Sequence, residues 1–130
     1  MPPTRLHHVF DYTDVDRAFW KEHLEGWVPR RIVDAHVHIA DPALRREPPT
    51  EAERRSFWVH EVNEAQSAES LAHGYRLLYP GRQTSLLCFG HPDLSYDVDG
   101  ANACISRTCV ERGWHGLAVS EPSWTAAECE

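Results

Sequence analysis

Short runs of branched and apolar residues alternate along the chain with longer segments of helical periodicity. Runs of strand length that end at turn residues predict β-strands at 32–39, 84–89 and 116–120. Apolar side chains at helical spacing predict α-helices near 15–25, 51–60 and 67–78, and between Asp99 and Gly113. Because the last two strands begin about one βαβ unit apart, we expect a parallel α/β sheet in strand order 1-2-3 with helices on one face.

Local signals mark where the helices begin and end. Thr50 and Glu53 have the spacing of a capping box, in which each side chain bonds the other residue's backbone amide. Asp99 is the predicted N-cap of the last helix, and Gly113 is its predicted end. The segment 40–50 is rich in proline and charge, so we expect it to be a loop that leaves the body of the fold.

The composition is that of a globular chain with an acidic balance. Lys and Arg number 13 and Asp and Glu number 20, which gives a formal net charge of −7, and 42% of the residues are hydrophobic. This balance argues against binding nucleic acid through a basic face. The sequence has no apolar run long enough to span a membrane and no secretory signal, and its four cysteines are typical of reduced thiols. We therefore expect a cytoplasmic protein that binds neither nucleic acid nor membrane.

The first predicted strand carries three polar side chains on one face. Strand side chains alternate between two faces, so Asp34, His36 and His38 are expected to point the same way. The opposite face is apolar and is expected to be covered by helices: Val33, Ala35, Val37 and Ile39. Ligands bind at the carboxyl ends of parallel strands, and a divalent cation about 2.0–2.1 Å from each nitrogen would satisfy two neighbouring imidazoles at once. On spacing alone two interpretations stay open: His36 and His38 reach one cation from the same side, or they are strand histidines that bond backbone or water.

The element Ile-Val-Asp-Ala-His-Val-His-Ile at 32–39, between a basic loop and an Asp-Pro turn, resembles the amidohydrolase superfamily. The resemblance is greatest to its amidohydrolase-related branch of metal-dependent hydrolases and decarboxylases. It implies a (β/α)8 TIM barrel in which Asp-x-His-x-His ends the first strand. It also implies that His36 and His38 bind the catalytic metal, with zinc as the expected ion, and that Asp34 has a supporting role. The implied reaction on a small-molecule substrate is attack of a metal-activated water on a carbonyl-type carbon, or a decarboxylation.

The same motif leaves a second family open. TIM-barrel phosphoesterases also begin with Asp-x-His-x-His, and in many of them a hydroxyl residue follows the second histidine. Here Ile39 follows it, which favours the hydrolase branch.

The chain is short for such a barrel. A (β/α)8 barrel typically needs about 250 residues, whereas this chain has 130 and three predicted strands. A catalytic zinc normally has three protein ligands, so two histidines are too few. We therefore expect residues 1–130 to be the N-terminal portion of an incomplete domain. Alone it would be inactive and would self-associate through the open edges of its sheet.

Other residues are candidates for the same site. His91 follows the second predicted strand and Glu121 the third, at the end where ligands collect. Guanidinium groups pair with planar anions and an indole offers a stacking face, so three further residues are possible substrate contacts: Arg54, Arg55 and Trp58. A non-catalytic anion-binding protein that uses these residues with Arg45 and Arg46 stays as an alternative.

A structural zinc module is the remaining alternative, and geometry argues against it. Its ligands would be Cys88, His91, Cys104 and Cys109. Positions five apart on a helix point roughly 140° from each other, so Cys104 and Cys109 do not face one ion.

Overall fold

A three-stranded parallel sheet in the order β3-β4-β5 forms the centre of the fold. The computed structural model describes residues 4–7, 10–56, 58, 65–91 and 95–129. The strands are β1 (Thr4–His7), β2 (Phe10–Tyr12), β3 (Arg31–His38), β4 (Gln83–Phe89) and β5 (His115–Gly116). The α-helices are α1 (Asp14–Phe19), α2 (Glu51–Ser56), α3 (Ala68–Leu78) and α4 (Val98–Arg112). A π-helical turn, Trp20–Leu24, continues α1, and 3-10 turns lie at Pro42–Leu44 and Ala126–Glu128.

The predicted strand order and parallel direction are confirmed. β3 pairs with β4 and β4 pairs with β5, both in parallel. The antiparallel pair of β1 and β2 was not predicted from the sequence. The predicted helix near 51–60 is observed as α2, and residues 57, 59 and 60 lie outside the described residues.

The helix ends follow side-chain capping, with one correction. The Thr50 amide donates to the Glu53 carboxylate at 2.7 Å, and the Glu53 amide donates to the Thr50 hydroxyl, as the capping box predicts. Asp97, not Asp99, caps α4, because its carboxylate accepts the Gly100 amide at 3.2 Å. The prediction of Asp99 as the cap is therefore wrong by two residues.

Gly113 ends α4 as predicted, and the chain then enters β5. Gly113 has a φ of 65°, the left-handed conformation that glycine adopts without steric penalty. The third strand, predicted at 116–120, is only His115–Gly116. Asn102 of α4 explains the difference, since its side-chain amide donates to the Val119 carbonyl at 2.7 Å and accepts the Val119 amide at 2.9 Å. The backbone of Val119 is thus held by a helix instead of a neighbouring strand.

The core lies between the sheet and the helices α3 and α4. Its buried members come from the end of β3 and the residue after it, from β4 and from α4: Val37, Ile39, Leu86, Cys88, Ile105 and Cys109. Leu71 and Tyr75 of α3 pack against the same cluster. The two helices therefore cover one face of the sheet, and among the described residues no member of this core cluster lies on the opposite, open face.

A β-bulge in β3 changes which side chains face these helices. Asp34 pairs with Leu86, and the next pair is Val37 with Cys88, so three residues of β3 advance against two of β4. Asp34 and Val37 therefore lie on the helix side, together with Leu86 and Cys88. The prediction that helices cover one apolar face is confirmed at Val37 and Ile39, which are buried. It is wrong at Val33, which is 70% exposed, and at Ala35, which is also exposed.

Among the described residues, no helix is both long enough and apolar enough to cross a membrane.

Candidate functional site

His36 and His38 lie side by side at the carboxyl end of β3, on the open face of the sheet. Their Nε2 atoms are 3.2 Å apart, and their ring centroids are 5.1 Å apart with the rings nearly perpendicular. Phe89 of β4 contacts both rings, at centroid distances of 4.9 Å to His36 and 4.5 Å to His38. The two imidazoles therefore share one wall and point their outer nitrogens at each other.

The orientation of His38 is fixed by the loop after β4. Its Nδ1 atom lies 3.2 Å from the carbonyl oxygen of Gly90. A carbonyl only accepts, so Nδ1 carries the proton and donates it, and the neutral ring keeps a lone pair on Nε2. Burial lowers the pKa of His38 below its usual value, and the neighbouring His36 lowers it further, although the bond to Gly90 acts in the opposite direction. His38 is thus held as a neutral imidazole whose Nε2 carries no proton.

This geometry fits two ligands of a divalent cation. Two nitrogens about 2.0–2.1 Å from a tetrahedral zinc ion are roughly 3.3–3.4 Å apart. The observed Nε2 separation of 3.2 Å is close to that value. Histidines that bind metals almost always donate their other ring N–H to a carboxylate, carbonyl or water, as His38 does to Gly90. A hydrogen bond between the two imidazoles would also give this separation.

A third ligand is missing from the part of the chain that the structure describes. Within it, no group of three or more His, Cys, Asp or Glu side chains is arranged to hold a metal ion. This includes the residues of the rejected zinc module, of which Cys88 and Cys109 are buried in the core. If a zinc ion binds here, His36 and His38 would supply two of the three protein ligands that a catalytic zinc normally has.

Asp34 lies on the other side of β3 from the two histidines. Its Oδ2 accepts the hydroxyl of Tyr75 at 2.6 Å, and its Oδ1 accepts the backbone amide of His36 at 3.1 Å. The expectation that Asp34 shares the face of His36 and His38 is therefore wrong, because the bulge intervenes. Asp34 reaches the site through the backbone of His36.

Tyr75 of α3 is not among the candidate site residues that the sequence predicts. In the structure its ring packs against the core while its hydroxyl reaches Asp34, 41 positions earlier in the chain. Burial, and then the hydrogen bond to Asp34, raises the pKa of Tyr75 well above its usual range, so the phenol keeps its proton. No local pattern indicates such a long-range contact.

His91 and Glu121, the two candidates at strand ends, have different surroundings. The ring of His91 stacks on His38, with centroids 4.5 Å apart and planes 6° from parallel. The Glu121 side chain is 12% exposed and pairs with Arg46 at 3.6 Å. Arg46 also lies 3.8 Å from the carboxylate of Asp97. The structure thus brings His91 to the histidine pair, and it places Glu121 in an ion-pair cluster beside α4.

The candidate substrate contacts lie on α2 and just beyond it. Arg54 and Arg55 are exposed in α2, and Arg55 pairs with Glu51 one turn earlier. Trp58 is 67% exposed. Arg45, from the alternative anion site, instead contacts the Tyr96 hydroxyl at 3.2 Å and lies over its ring.

Comparison with protein-family models, with curated proteins and with solved structures finds no match for this chain. The resemblance to the amidohydrolase-related branch therefore rests on Asp34, His36 and His38 and on the strand that carries them.

Proposed function

We propose that this chain is part of a metal-dependent hydrolase of the amidohydrolase-related branch, in which His36 and His38 bind a divalent cation, with zinc as the first candidate. The observation that carries the proposal is the Nε2 pair at 3.2 Å, with His38 oriented by the Gly90 carbonyl. This orientation suits a metal ligand, because the bond at Nδ1 leaves Nε2 unprotonated.

The residues around the histidine pair would each have a distinct role in such a site. His36 and His38 would hold the ion, and a bound divalent metal would supply a hydroxide nucleophile and polarise a carbonyl-type carbon. Gly90 holds the proton of His38 on Nδ1, away from the site. Phe89 forms an apolar wall against both rings, which limits the access of water on that side.

This function implies a particular fold and a third ligand to the metal. We propose that β3, β4 and β5 with their helices are the first three βα units of a (β/α)8 barrel. The parallel order and the helices on one face support this. A third ligand would come from residues outside those that the structure describes.

A decarboxylase of the same branch would use the same histidine pair, and a TIM-barrel phosphoesterase shares the motif. We further propose the cytoplasm as the compartment, because the four cysteines are free thiols.

Zinc titration of matched variants tests the proposal. Isothermal titration with zinc chloride should show one site per wild-type chain and none in the double variant His36→Ala/His38→Ala. The control is His115→Ala, which removes an exposed imidazole at the start of β5. It should bind zinc as the wild type does. If the double variant binds zinc as tightly as the wild type, the proposed ligands are wrong.

A further inference from the structure

The two histidines face the open side of the sheet because β3 is irregular. In a regular strand, residues two apart share a face, so His36 and His38 would point the same way as Asp34. Asp34 contacts Tyr75 of α3, which packs against the core on the helix side. A regular β3 would therefore turn both imidazoles toward the helices. The bulge between Asp34 and Val37 inserts one residue and reverses their direction.

The bulge is held by the side chain that precedes it. At a bulge the extra residue is not paired in the ladder, so its backbone groups need other partners. The His36 amide donates to Oδ1 of Asp34 at 3.1 Å. This is the local bond from an Asp side chain to a backbone amide two residues on that stabilises turns. Asp34 thus stabilises the irregular backbone that the site requires.

Tyr75 holds Asp34 from the helix layer. The Tyr75 hydroxyl donates to Oδ2 of Asp34 at 2.6 Å, a short O–H···O hydrogen bond. Tyr75 is itself fixed by packing against the buried core. The two oxygens of one carboxylate therefore connect the core side of α3 to the backbone of His36.

We propose that Tyr75 and Asp34 are positioning residues, which hold the bulge of β3 and thereby place the Nε2 atoms of His36 and His38 on the open face. The part of this inference that concerns metal rests on the proposed function. The part that concerns the bulge does not, since it follows from contacts within the chain. Neither residue touches the metal position, and each acts through the backbone of His36.

The experiment compares three substitutions with a matched control. Tyr75→Phe removes the hydroxyl and leaves the packed ring. Asp34→Ala removes both acceptors, whereas Asp34→Asn keeps an oxygen for the His36 amide and a donor toward Tyr75. The control is Tyr79→Phe, because Tyr79 stacks on Tyr75 at 6.0 Å and loses its hydroxyl without any change at Asp34.

Two measurements are made on each variant of the 130-residue chain. In the metal-free protein, hydrogen exchange of the His36 amide should be at least about tenfold faster in Tyr75→Phe and Asp34→Ala than in the wild type, because the closed bulge protects it. Zinc affinity should fall roughly 10- to 100-fold in the same two variants, the usual effect of removing an outer-shell partner. Asp34→Asn should keep most of the protection of the His36 amide and most of the zinc affinity. Tyr79→Phe should match the wild type in both measurements.

The two measurements separate the inference from the proposed function. If the wild type binds no zinc, the proposed function fails, while the exchange rates still test the bulge. If Tyr75→Phe and Asp34→Ala retain the wild-type His36 exchange rate, the inference is overturned. Should Asp34→Ala lose its circular dichroism spectrum, Tyr75→Phe decides the result, because it keeps the packed ring.

Discussion

The Nδ1 atom of His38, at the end of β3, lies 3.2 Å from the carbonyl oxygen of Gly90, in the loop that follows β4. The imidazole of His38 thus connects the carboxyl ends of two neighbouring parallel strands. Gly90 is buried there against α4, and a Cβ at this position would lie 3.3 Å from the Cβ of Ala101. The carbonyl that orients His38 is therefore part of a close backbone approach to the helix.

The tautomer of His38 follows from this contact. We expect His38 in the metal-free protein at pH 7.5 to be neutral, with its proton on Nδ1 and none on Nε2. Burial lowers its pKa, so the imidazolium is a minor form at this pH. Nitrogen-15 spectra of the histidine side chains measure the protonation of each ring nitrogen. A neutral His38 ring with its proton on Nε2 would contradict the donation from Nδ1 to Gly90.

The N-cap of α4 gives a comparison between two aspartates. Asp97→Ala should destabilise the chain by about 1 kcal/mol, because the Gly100 amide loses its acceptor. Asp99→Ala should cost about 0.3 kcal/mol, since Asp99 contributes only a negative charge in the first turn. Urea unfolding of the two variants gives the difference. Equal losses would show that Asp97 is not the cap.

The buried thiols predict both reactivity and a pH dependence. Burial, and then the neighbouring Cys109, raises the pKa of Cys88 to about 12. Burial likewise raises the pKa of Cys109. A thiol reagent at pH 8 should therefore modify the exposed Cys129 quickly and should reach Cys88 and Cys109 only on unfolding. Mass spectrometry after short exposure identifies the modified residues, and Cys129→Ser should remove the fast phase.

The direction of the pH effect on Cys88 follows from its raised pKa. Below the ordinary thiol pKa of about 8.5, Cys88 is protonated in both the folded and the unfolded chain, and its contribution to stability is fully present. As the pH rises from about 8.5 toward the folded-state value of about 12, only the unfolded state loses the proton, so this contribution is lost. The free energy of unfolding should fall less steeply over this range in Cys88→Ala than in the wild type.

Exposed sheet edges predict self-association of the chain. Among the described strands, β3 and β5 are the edges of the parallel sheet. Val33 on β3 is 70% exposed, and Leu117 next to β5 is 49% exposed. We expect the purified chain to form oligomers, because unpaired edges recruit other chains. Light scattering should show a shift toward monomer in Val33→Lys/Leu117→Lys. Val15→Lys, a charge on the exposed surface of α1, should have no such effect.

Much of the fold could be predicted from the sequence because it depends on interactions between residues close together in the chain. The parallel order follows from the length of the connections. The start of α2 follows from Thr50 and Glu53, and the end of α4 follows from Gly113, because these residues act on their own backbone. The third strand could not be predicted correctly. Asn102 and Val119 are 17 positions apart, and their mutual bonds shorten it to two residues.

The candidate site, like the fold, could be predicted only in part. The pairing of His36 with His38 could be predicted, since residues two apart on a strand share a face whatever the strand's direction. The position of Asp34 could not, because one inserted residue reverses every later side chain and no local signal marks the insertion. The contact with Tyr75 depends on how α3 packs, so it too was outside the reach of sequence pattern.

The central claim is that the Nε2 atoms of His36 and His38 hold one divalent cation. The most direct test is the nitrogen-15 spectrum of the histidine side chains before and after one equivalent of zinc chloride. We predict that the Nε2 resonances of His36 and His38 shift together and stop changing at one equivalent. The Nδ1 of His38 should stay protonated, and the His115 resonances should stay in place. Unchanged Nε2 resonances in both residues at a saturating zinc concentration would contradict the claim.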